Sequence, residues 1–204
     1  MLDYSNIYIG GIEPISFSDF PGGISTVIFL CGCNFRCPTC HNKEIAWDYS
    51  NIDEVPLQEI IKTIDSYKDY IDAITISGGE PTIYENLPDF IDLLKSKYNV
   101  KIKLDSNGSN LSRIMEVIEK VDNLSLDIKG PFHKYPILTG NSFSREEAKN
   151  NFYEFFELTR KYPGKIKFRT TKVPYLTESD LEEVNEYVEK FSLSHVFQQY
   201  VQIN

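Results

Sequence analysis

The order of strand-like and helix-like segments is the feature that most limits the fold of this chain. Short apolar runs rich in β-branched residues alternate with longer segments whose apolar residues recur at helical spacing. Strands are predicted over residues 25–30, 72–77, 101–105, 123–128, 165–171 and 196–202, and helices over residues 53–68, 87–97, 110–120, 144–161 and 178–191. Six strands alternating with five helices favour βαβ units around a parallel sheet. The prediction is an α/β fold of the incomplete (βα)6 TIM-like barrel type, short of the eight repeats of a full barrel.

The composition is that of an ordinary soluble chain of 204 residues, with 41% hydrophobic residues and a formal net charge of −9. This length predicts a single domain over residues 1–204, with a short N-terminal lead-in over residues 1–23. The longest apolar run is too short to cross a bilayer, and the N-terminus lacks the basic region of a signal peptide. We therefore expect a cytoplasmic protein without a membrane partner, and the negative charge argues against nucleic-acid binding.

Cys33, Cys37 and Cys40 form a Cys-x3-Cys-x2-Cys cluster just after the first predicted strand. All four cysteines of the chain lie between positions 31 and 40, which is unlike a disulfide framework. Three thiolates can hold three irons of a [4Fe–4S] cube, whereas complete ligation of such a cube normally takes four cysteines. The pattern therefore predicts a cluster with one iron open to an exogenous ligand, an arrangement suited to chemistry more than to electron storage.

A zinc site is the alternative for the same residues, with His41 as the fourth ligand of a Cys3His set. Adjacent Cys40 and His41 are awkward ligands for one tetrahedron, and zinc explains none of the polar residues at the other strand ends. Cys31, two residues before the cluster, is expected to be a small buried apolar residue. A fourth cluster ligand is the alternative for Cys31.

Polar residues follow the carboxyl ends of the next four predicted strands as well. In α/β folds the functional site lies at this edge of the sheet, so we expect these residues to meet there. They are Gly78-Gly79-Glu80-Pro81, Asp105-Ser106-Asn107-Gly108, Asp127, Lys129, Arg169 and Lys172. The structural alternative is a simple turn at Gly78-Gly79 and a strand with one polar face at Asp127 and Lys129.

Four motifs in order along the chain carry a family resemblance. They are SFSDFPG at residues 16–22, GCNFRCPTCHN at 32–42, SGGEP at 77–81 and LDIK at 126–129. With them the chain resembles the radical S-adenosylmethionine (radical SAM) superfamily from about residue 10 to about residue 175. More narrowly, it is similar to the activating enzymes of glycyl radical enzymes, such as pyruvate formate-lyase activase and anaerobic ribonucleotide reductase activase.

The resemblance implies a [4Fe–4S] cluster on Cys33, Cys37 and Cys40, with S-adenosylmethionine bound at the open iron. Reductive cleavage of this cofactor would release a 5′-deoxyadenosyl radical, and the protein would bind, orient and shield the reactants. The implied partners are a glycyl radical enzyme as the protein substrate and a flavodoxin or ferredoxin as the electron donor. The short chain fits a protein substrate, because little of it remains to enclose a small one.

Roles at the strand ends follow from the same resemblance. Gly78 and Gly79 would let the backbone approach the methionine part of the cofactor, since they have no Cβ. Glu80 would face the ammonium group of the cofactor. Lys129 would hold its carboxylate as a flexible point charge, and Arg169 is a candidate for the ribose or the carboxylate.

Two further features bear on the cofactor. Resemblance to the pyruvate formate-lyase branch offers Asp105 and Asp127 as ligands of a monovalent cation beside the cofactor carboxylate. The position before the third cysteine is often an aromatic residue that packs on adenine, but here it is Thr39. Phe35 or a residue elsewhere must then supply that surface.

Other functions compete with activation of a glycyl radical enzyme. A small radical SAM enzyme can act on a heterocycle, as in 7-carboxy-7-deazaguanine synthesis, or on a peptide. A module that only binds metal or transfers electrons is the non-enzymatic alternative.

Overall fold

A computed structural model describes residues 6–202 of the protein, and within them seven strands form one mostly parallel sheet in chain order. The strands are β1 (Ile9–Ser16), β2 (Ser25–Leu30), β3 (Ala73–Gly78), β4 (Lys101–Ser106), β5 (Asn123–Asp127), β6 (Ile166–Lys172) and β7 (His195–Gln199). The helices are α1 (Lys43–Trp47), α2 (Leu57–Tyr67), α3 (Leu87–Lys97), α4 (Leu111–Val117), α5 (Tyr135–Leu138), α6 (Arg145–Lys161) and α7 (Glu178–Phe191). The predicted α/β class with an incomplete parallel barrel is confirmed.

The stretch predicted as a lead-in over residues 1–23 contains a strand that was not predicted, because Ile9–Ser16 forms the edge strand β1, antiparallel to β2. Gly10, Gly11 and Pro14 obscured this strand, since glycine and proline are depleted from strand interiors. The register between β1 and β2 shifts near both ends of the strand. An edge strand tolerates such irregularities, because one of its sides has no ladder to maintain.

The chain folds as two compact units. Unit 1 comprises the described residues up to Cys33 together with Asn42–Asp105 and Ser112–Leu124. Unit 2 comprises Asn34–His41, Ser106–Leu111 and the described residues from Ser125 onward. A single domain over residues 1–204 stays a prediction.

The core of unit 1 lies on the parallel strands β2, β3 and β4. Its fully buried apolar side chains on these strands are Val27, Ile28, Leu30, Ala73, Ile74, Ile76, Ile102 and Leu104. On β2 the successive side chains of Val27 and Ile28 are both buried, which is typical of a parallel strand that is covered on both faces.

The core of unit 2 is aromatic and is organised by α6. This helix begins with a capping box built on Ser144, and its buried face includes Phe152 and Phe156. The ring of Phe156 meets the ring of Phe168 edge-on, with centroids 5.4 Å apart. The contact anchors β6, the strand that carries Arg169. None of the described helices is both long enough and apolar enough to cross a membrane.

Candidate active site

The carboxyl ends of three neighbouring strands lie together in unit 1. Strands β2 and β3 pair in parallel with Leu30 opposite Gly78, and β4 continues the parallel ladder beyond β3. Cys33 follows β2, Gly78 ends β3, and Asp105 is the next-to-last residue of β4. Within this unit the structure brings the predicted strand-end residues to one edge of the sheet.

Gly78 and Gly79 are required by the packing of their own backbone. Gly78 has φ +121°, and a Cβ there would overlap the backbone of Leu30. A Cβ on Gly79 would overlap the carbonyl oxygen of Gly32. The backbone nitrogen of Gly79 donates to the Leu30 carbonyl and that of Glu80 to the Gly32 carbonyl, both at 2.8 Å. The two glycines therefore let the end of β3 lie directly on the chain that leads to Cys33.

The sequence reasoning missed Asn42, whose Nδ2 donates to the carbonyl oxygen of Gly78 at 3.1 Å. Asn42 is also the residue that precedes α1, and its side chain caps no backbone group of that helix. Its amide instead joins the segment after the cysteine motif to the end of β3. Its place two residues after Cys40, within the GCNFRCPTCHN motif, was the available signal.

Glu80 is fully buried and caps the short 3₁₀ turn Pro81–Ile83. Its Oε1 accepts hydrogen bonds from the backbone nitrogen of Thr82 at 3.1 Å and from its hydroxyl at 2.5 Å. The carboxylate therefore has a structural role in holding the chain after Gly79. Its role toward a cofactor ammonium stays a prediction.

Asp105 belongs to a buried ion pair in unit 1. The Nζ of Lys103, two residues earlier on β4, donates to Oδ1 of Asp105, and both side chains are less than one tenth exposed. Oδ2 of Asp105 accepts from the hydroxyl of Ser77 on β3 at 3.3 Å. Sequence reasoning missed Lys103, because a lysine that alternates with Ile102 and Leu104 looks like the solvent side of a strand.

Unit 2 holds a second cluster of charges, the Asp127 group, which consists of Asp127, Lys129 and Arg169. The Nε and Nη2 of Arg169 each lie 2.8 Å from Oδ1 of Asp127, and the Nζ of Lys129 lies 2.9 Å from Oδ2. The three side chains are only 21–28% exposed. Two cations around one carboxylate leave the group with a net charge of +1, which suits a further anionic ligand.

Burial by itself would raise the pKa of Asp127, but the charges of Arg169 and Lys129 outweigh burial and hold that pKa well below its ordinary value. Burial opposes the charged form of Lys129, but Asp127 and Cys37 outweigh it and raise the pKa of the lysine above its ordinary value. Asp127 and Lys129 are therefore both ionised across the physiological range. The backbone nitrogen of Lys129 donates to the hydroxyl oxygen of buried Tyr135 at 3.1 Å, which holds the chain after β5.

We expect Asp127→Asn to lower the free energy of unfolding by about 2 kcal/mol at neutral pH, because it leaves two partly buried cations without their counter-charge. A carboxylate whose pKa is depressed by folding stabilises fully above its unfolded-state pKa of about 3.9, and this stabilisation is lost as the pH falls toward the folded-state pKa. The difference between wild type and variant should therefore be smaller at about pH 3 than at about pH 7. Urea unfolding at both pH values measures it.

The matched control is Asp92→Asn, which removes one partner of the more exposed Lys120–Asp92 ion pair. We expect Asp92→Asn to lower the free energy of unfolding by less than about 1 kcal/mol, as for other exposed ion pairs. A difference between wild type and Asp127→Asn that is absent at neutral pH, or that grows in acid, would contradict the depressed pKa of Asp127.

The three motif cysteines are all partly exposed, and none is in a disulfide. Cys33 belongs to unit 1, whereas Cys37 and Cys40 belong to unit 2. The backbone nitrogen of Cys40 donates to the carbonyl of Cys37 at 3.0 Å, so the Cys-x2-Cys part forms a turn. Burial raises the pKa of the Cys37 thiol, and the nearby ammonium of Lys129 opposes this effect. A bound metal adds a much larger positive charge and removes a thiol proton outright.

The unit 2 part of the cysteine loop is fixed at two points. The Nδ2 of Asn34 donates to the hydroxyl of Ser109 at 2.7 Å, and the Oδ1 of Asn34 accepts from Nδ2 of Asn107 at 3.0 Å. The backbone nitrogen of Arg36 donates to the carbonyl of Thr139 at 3.0 Å. Both contacts precede Cys37, so they set where its thiol can lie.

Cys31 differs from the other three cysteines. It is fully buried, and burial, together with the charge of Glu54, raises the pKa of its thiol to about 11. A Cβ on Gly10 would come within 2.5 Å of its sulfur, so the space around Cys31 is already filled. The expected role as a small buried residue is confirmed.

Among residues 6–202, no three His, Cys, Asp or Glu side chains converge on one position for a metal ion. His41, the proposed fourth zinc ligand, is exposed, and its ring stacks on Tyr200 with the centroids 5.1 Å apart.

Phe35 does not offer a surface for adenine. Its side chain is 1% exposed and packs against Phe143 in the core of unit 2, with ring centroids 5.3 Å apart. The sequence offered this residue as a substitute for the aromatic missing at Thr39. The structure uses it to anchor the cysteine loop instead.

The family profile of the radical SAM superfamily matches residues 27–188, which contain the cysteine motif and all the strand-end residues described above. The chain belongs to the radical SAM superfamily. Membership implies a [4Fe–4S] cluster and S-adenosylmethionine as cofactors, and it confirms the resemblance to this superfamily. Three of the four sequence motifs lie within the matched residues, and SFSDFPG at residues 16–22 precedes them.

Curated relatives extend this likeness over most of the chain. A Methanocaldococcus jannaschii protein named as a glycyl-radical enzyme activating enzyme is 33% identical over 188 residues, which is 91% of this chain and 77% of that protein. The pyruvate formate-lyase-activating enzyme of Clostridium pasteurianum is 31% identical over 179 residues, covering 84% of this chain and 71% of that protein.

Solved structures of other proteins share the fold at lower identity. Streptococcus suis SuiB bound to S-adenosylmethionine superposes with a TM-score of 0.62 at 15% identity; the match covers 84% of this chain, which spans only 39% of SuiB. QueE from Escherichia coli matches with a TM-score of 0.52 at 13% identity, covering 94% of both chains. At these identities the likeness is one of fold alone.

Proposed function

We propose that this radical SAM protein is an activating enzyme of a glycyl radical enzyme, which removes one hydrogen atom from a glycine α-carbon of a partner protein. The observation that carries the proposal is the likeness to two named activating enzymes at 31–33% identity over 84–91% of the chain. The order of the motifs along this chain, from the cysteine loop through the Gly-Gly-Glu-Pro segment to Asp127 and Lys129, also supports the proposal.

Cys33, Cys37 and Cys40 are proposed to hold the [4Fe–4S] cluster. Their thiols fit this group because they are partly exposed and outside any disulfide, whereas Cys31 is buried with a pKa of about 11. When bound, the reduced cluster and S-adenosylmethionine supply a 5′-deoxyadenosyl radical by cleavage of a carbon–sulfur bond. The protein's part is to hold these groups and to exclude competing reactions.

The Asp127 group is proposed to take the carboxylate of the cofactor. Its net charge of +1 supports this role, and Asp127 holds the Lys129 ammonium and the Arg169 guanidinium in fixed directions. An orientation fixed by ion pairs reduces the entropy lost when a ligand is bound. Glu80, at the end of the Gly78-Gly79 turn, is proposed to face the cofactor ammonium.

Glu80→Gln tests the role proposed for Glu80. A glutamine Oε1 can still accept from Thr82, so we expect the free energy of unfolding to change by less than about 1 kcal/mol. The neutral amide loses a charge-assisted hydrogen bond to the ammonium, so KM for S-adenosylmethionine should rise about tenfold. Chemical unfolding and 5′-deoxyadenosine kinetics measure the two effects.

The control is Glu13→Gln, at an exposed glutamate on β1, which should change neither quantity. An unchanged KM in a correctly folded Glu80→Gln variant would restrict Glu80 to capping the Pro81–Ile83 turn.

A flavodoxin or ferredoxin is proposed as the electron donor, in a reducing cytoplasm. The support is chemical, since a cluster reduced at low potential needs a donor of comparable potential.

The experiment that tests the proposed function is anaerobic incubation of the reconstituted protein with S-adenosylmethionine, a reductant and each glycyl radical enzyme of the source organism in turn. We expect a glycyl radical signal in electron paramagnetic resonance with one of these partners. Its absence with every partner, while 5′-deoxyadenosine still forms, would overturn the activase function and leave a radical SAM enzyme with another substrate.

A further inference from the structure

The family resemblance implied that Asp105 and Asp127 bind a monovalent cation, but each aspartate already pairs with a positively charged side chain of the protein. The Nζ of Lys103 lies on Oδ1 of Asp105. Lys129 and Arg169 lie on the two carboxylate oxygens of Asp127. The two sites belong to different units, and each is neutralised or made positive by residues of its own unit.

Burial makes the Lys103–Asp105 ion pair costly to separate. The side chains are 5% and 9% exposed, and separating such a pair leaves an uncompensated buried charge, which is strongly destabilising. An alkali cation that approached Oδ1 would have to share it with an ammonium of the same charge. The second oxygen of Asp105 accepts from Ser77. The site is therefore a poor fit for an added alkali ion.

We propose that Lys103 takes the place of the monovalent cation in this protein, so that cofactor binding and cleavage need no alkali ion. A lysine ammonium carries the same unit charge as sodium or potassium and, like them, is held by oxygen atoms. It differs in being tethered to β4, so its occupancy does not depend on salt composition. Lys103 is thus a positioning residue, which sets the charge at Asp105.

Lys101 provides a matched control on the same strand. It lies two residues from Lys103 on β4, its side chain is exposed, and its ammonium lies 5.7 Å from the ring centroid of Phe20. Lys101→Met and Lys103→Met therefore make the same chemical change on the same strand, and only the second removes the cation from Asp105.

The first test is the thermal unfolding midpoint of the full chain in potassium, sodium or choline chloride at equal ionic strength. Choline is too large to replace an alkali ion, and equal ionic strength keeps screening constant. We expect the wild type and Lys101→Met to unfold within about 1 °C of the same midpoint in all three salts, since nothing binds the folded state selectively. Lys103→Met should lose about 6–10 °C in choline and recover at least about 2 °C in potassium or sodium, as an ion enters beside Asp105.

A second variant keeps the test independent of the folding of Lys103→Met. The double variant Lys103→Met/Asp105→Asn removes both charges. We expect its thermal unfolding midpoint to return most of the way to the wild-type value and to be the same with and without potassium. A saturable rise of the wild-type midpoint with potassium or sodium would overturn the proposal. A Lys103→Met variant that responds to no alkali ion would overturn it as well.

The second readout is 5′-deoxyadenosine formation, with titanium(III) as the reductant because sodium dithionite would bring in an alkali ion. The wild-type rate of product formation should agree within about twofold in the three salts. The rate of the Lys103→Met variant should fall about tenfold in choline chloride and recover partly in potassium chloride. This readout rests on the radical SAM chemistry of the proposed function, but the unfolding midpoint does not. Absence of product in every salt would count against the cofactor chemistry, and the midpoints would still decide the role of Lys103.

Discussion

Replacing Cys33, Cys37 or Cys40 by alanine is expected to abolish 5′-deoxyadenosine formation, with a loss of more than about a hundredfold for each. The loss of a metal ligand should cost at least as much as the loss of a group that only orients one, which typically costs about 10- to 100-fold. Each variant should also bind less iron and sulfide after anaerobic reconstitution. Iron analysis, the visible absorption of the cluster and chromatography of the nucleoside product measure the three effects.

Cys31→Ala is the control, because Cys31 lies two residues before the motif but is buried in the core of unit 1. It should keep its cluster and most of its activity and lose only about 1 kcal/mol of stability from the smaller side chain. A Cys31→Ala variant without a cluster, or a Cys37→Ala variant with full iron content and activity, would contradict the assignment of the three ligands.

Gly79→Ala is expected to lower the free energy of unfolding by about 3 kcal/mol or more, even without any cofactor. The new Cβ would overlap the carbonyl oxygen of Gly32, which is backbone, so neither group can move aside by a change of rotamer. The strain falls on the hydrogen bonds from Gly79 to Leu30 and from Glu80 to Gly32, and hence on the chain just before Cys33. Urea unfolding of the cofactor-free protein measures this effect.

Gly11→Ala is the matched control, because a Cβ at Gly11 would meet only one ring carbon of Phe29, at 4.0 Å. We expect a change within about 1 kcal/mol at that position. If Gly79→Ala were as stable as wild type but failed to bind S-adenosylmethionine, the glycine would be needed for the ligand and not for the packing of β3 on β2.

Segments with strand-like apolar runs alternate with segments whose apolar residues recur at helical spacing. This alternation was enough to predict the α/β class and the six strands that were proposed from sequence. It could not predict β1, because Gly10, Gly11 and Pro14 are residues that strands usually avoid, and only pairing with β2 makes Ile9–Ser16 extended. Local pattern specifies local structure well only where propensity and tertiary pairing agree.

The site was predicted as residue types at strand ends, and its pairings became apparent only in three dimensions. Asp127, Lys129 and Arg169 were identified in sequence, but the ion pairs of Asp127 with Lys129 and with Arg169 join positions up to 42 residues apart. Lys103 was missed for a different reason: a lysine at alternate spacing fits a solvated strand face, and sequence periodicity carries no information about the carboxylate that makes its burial favourable.

Deuterium transfer would test the central claim most directly. The partner enzyme is prepared with α-deuterated glycine and incubated with the reconstituted protein, S-adenosylmethionine and a reductant, and the 5′-deoxyadenosine is analysed by mass spectrometry. The account predicts one deuterium in the product, together with a glycyl radical on the partner. Product without deuterium, from a partner that carries the radical, would show that the hydrogen atom is not taken from glycine by the cleaved cofactor and would contradict the proposed function.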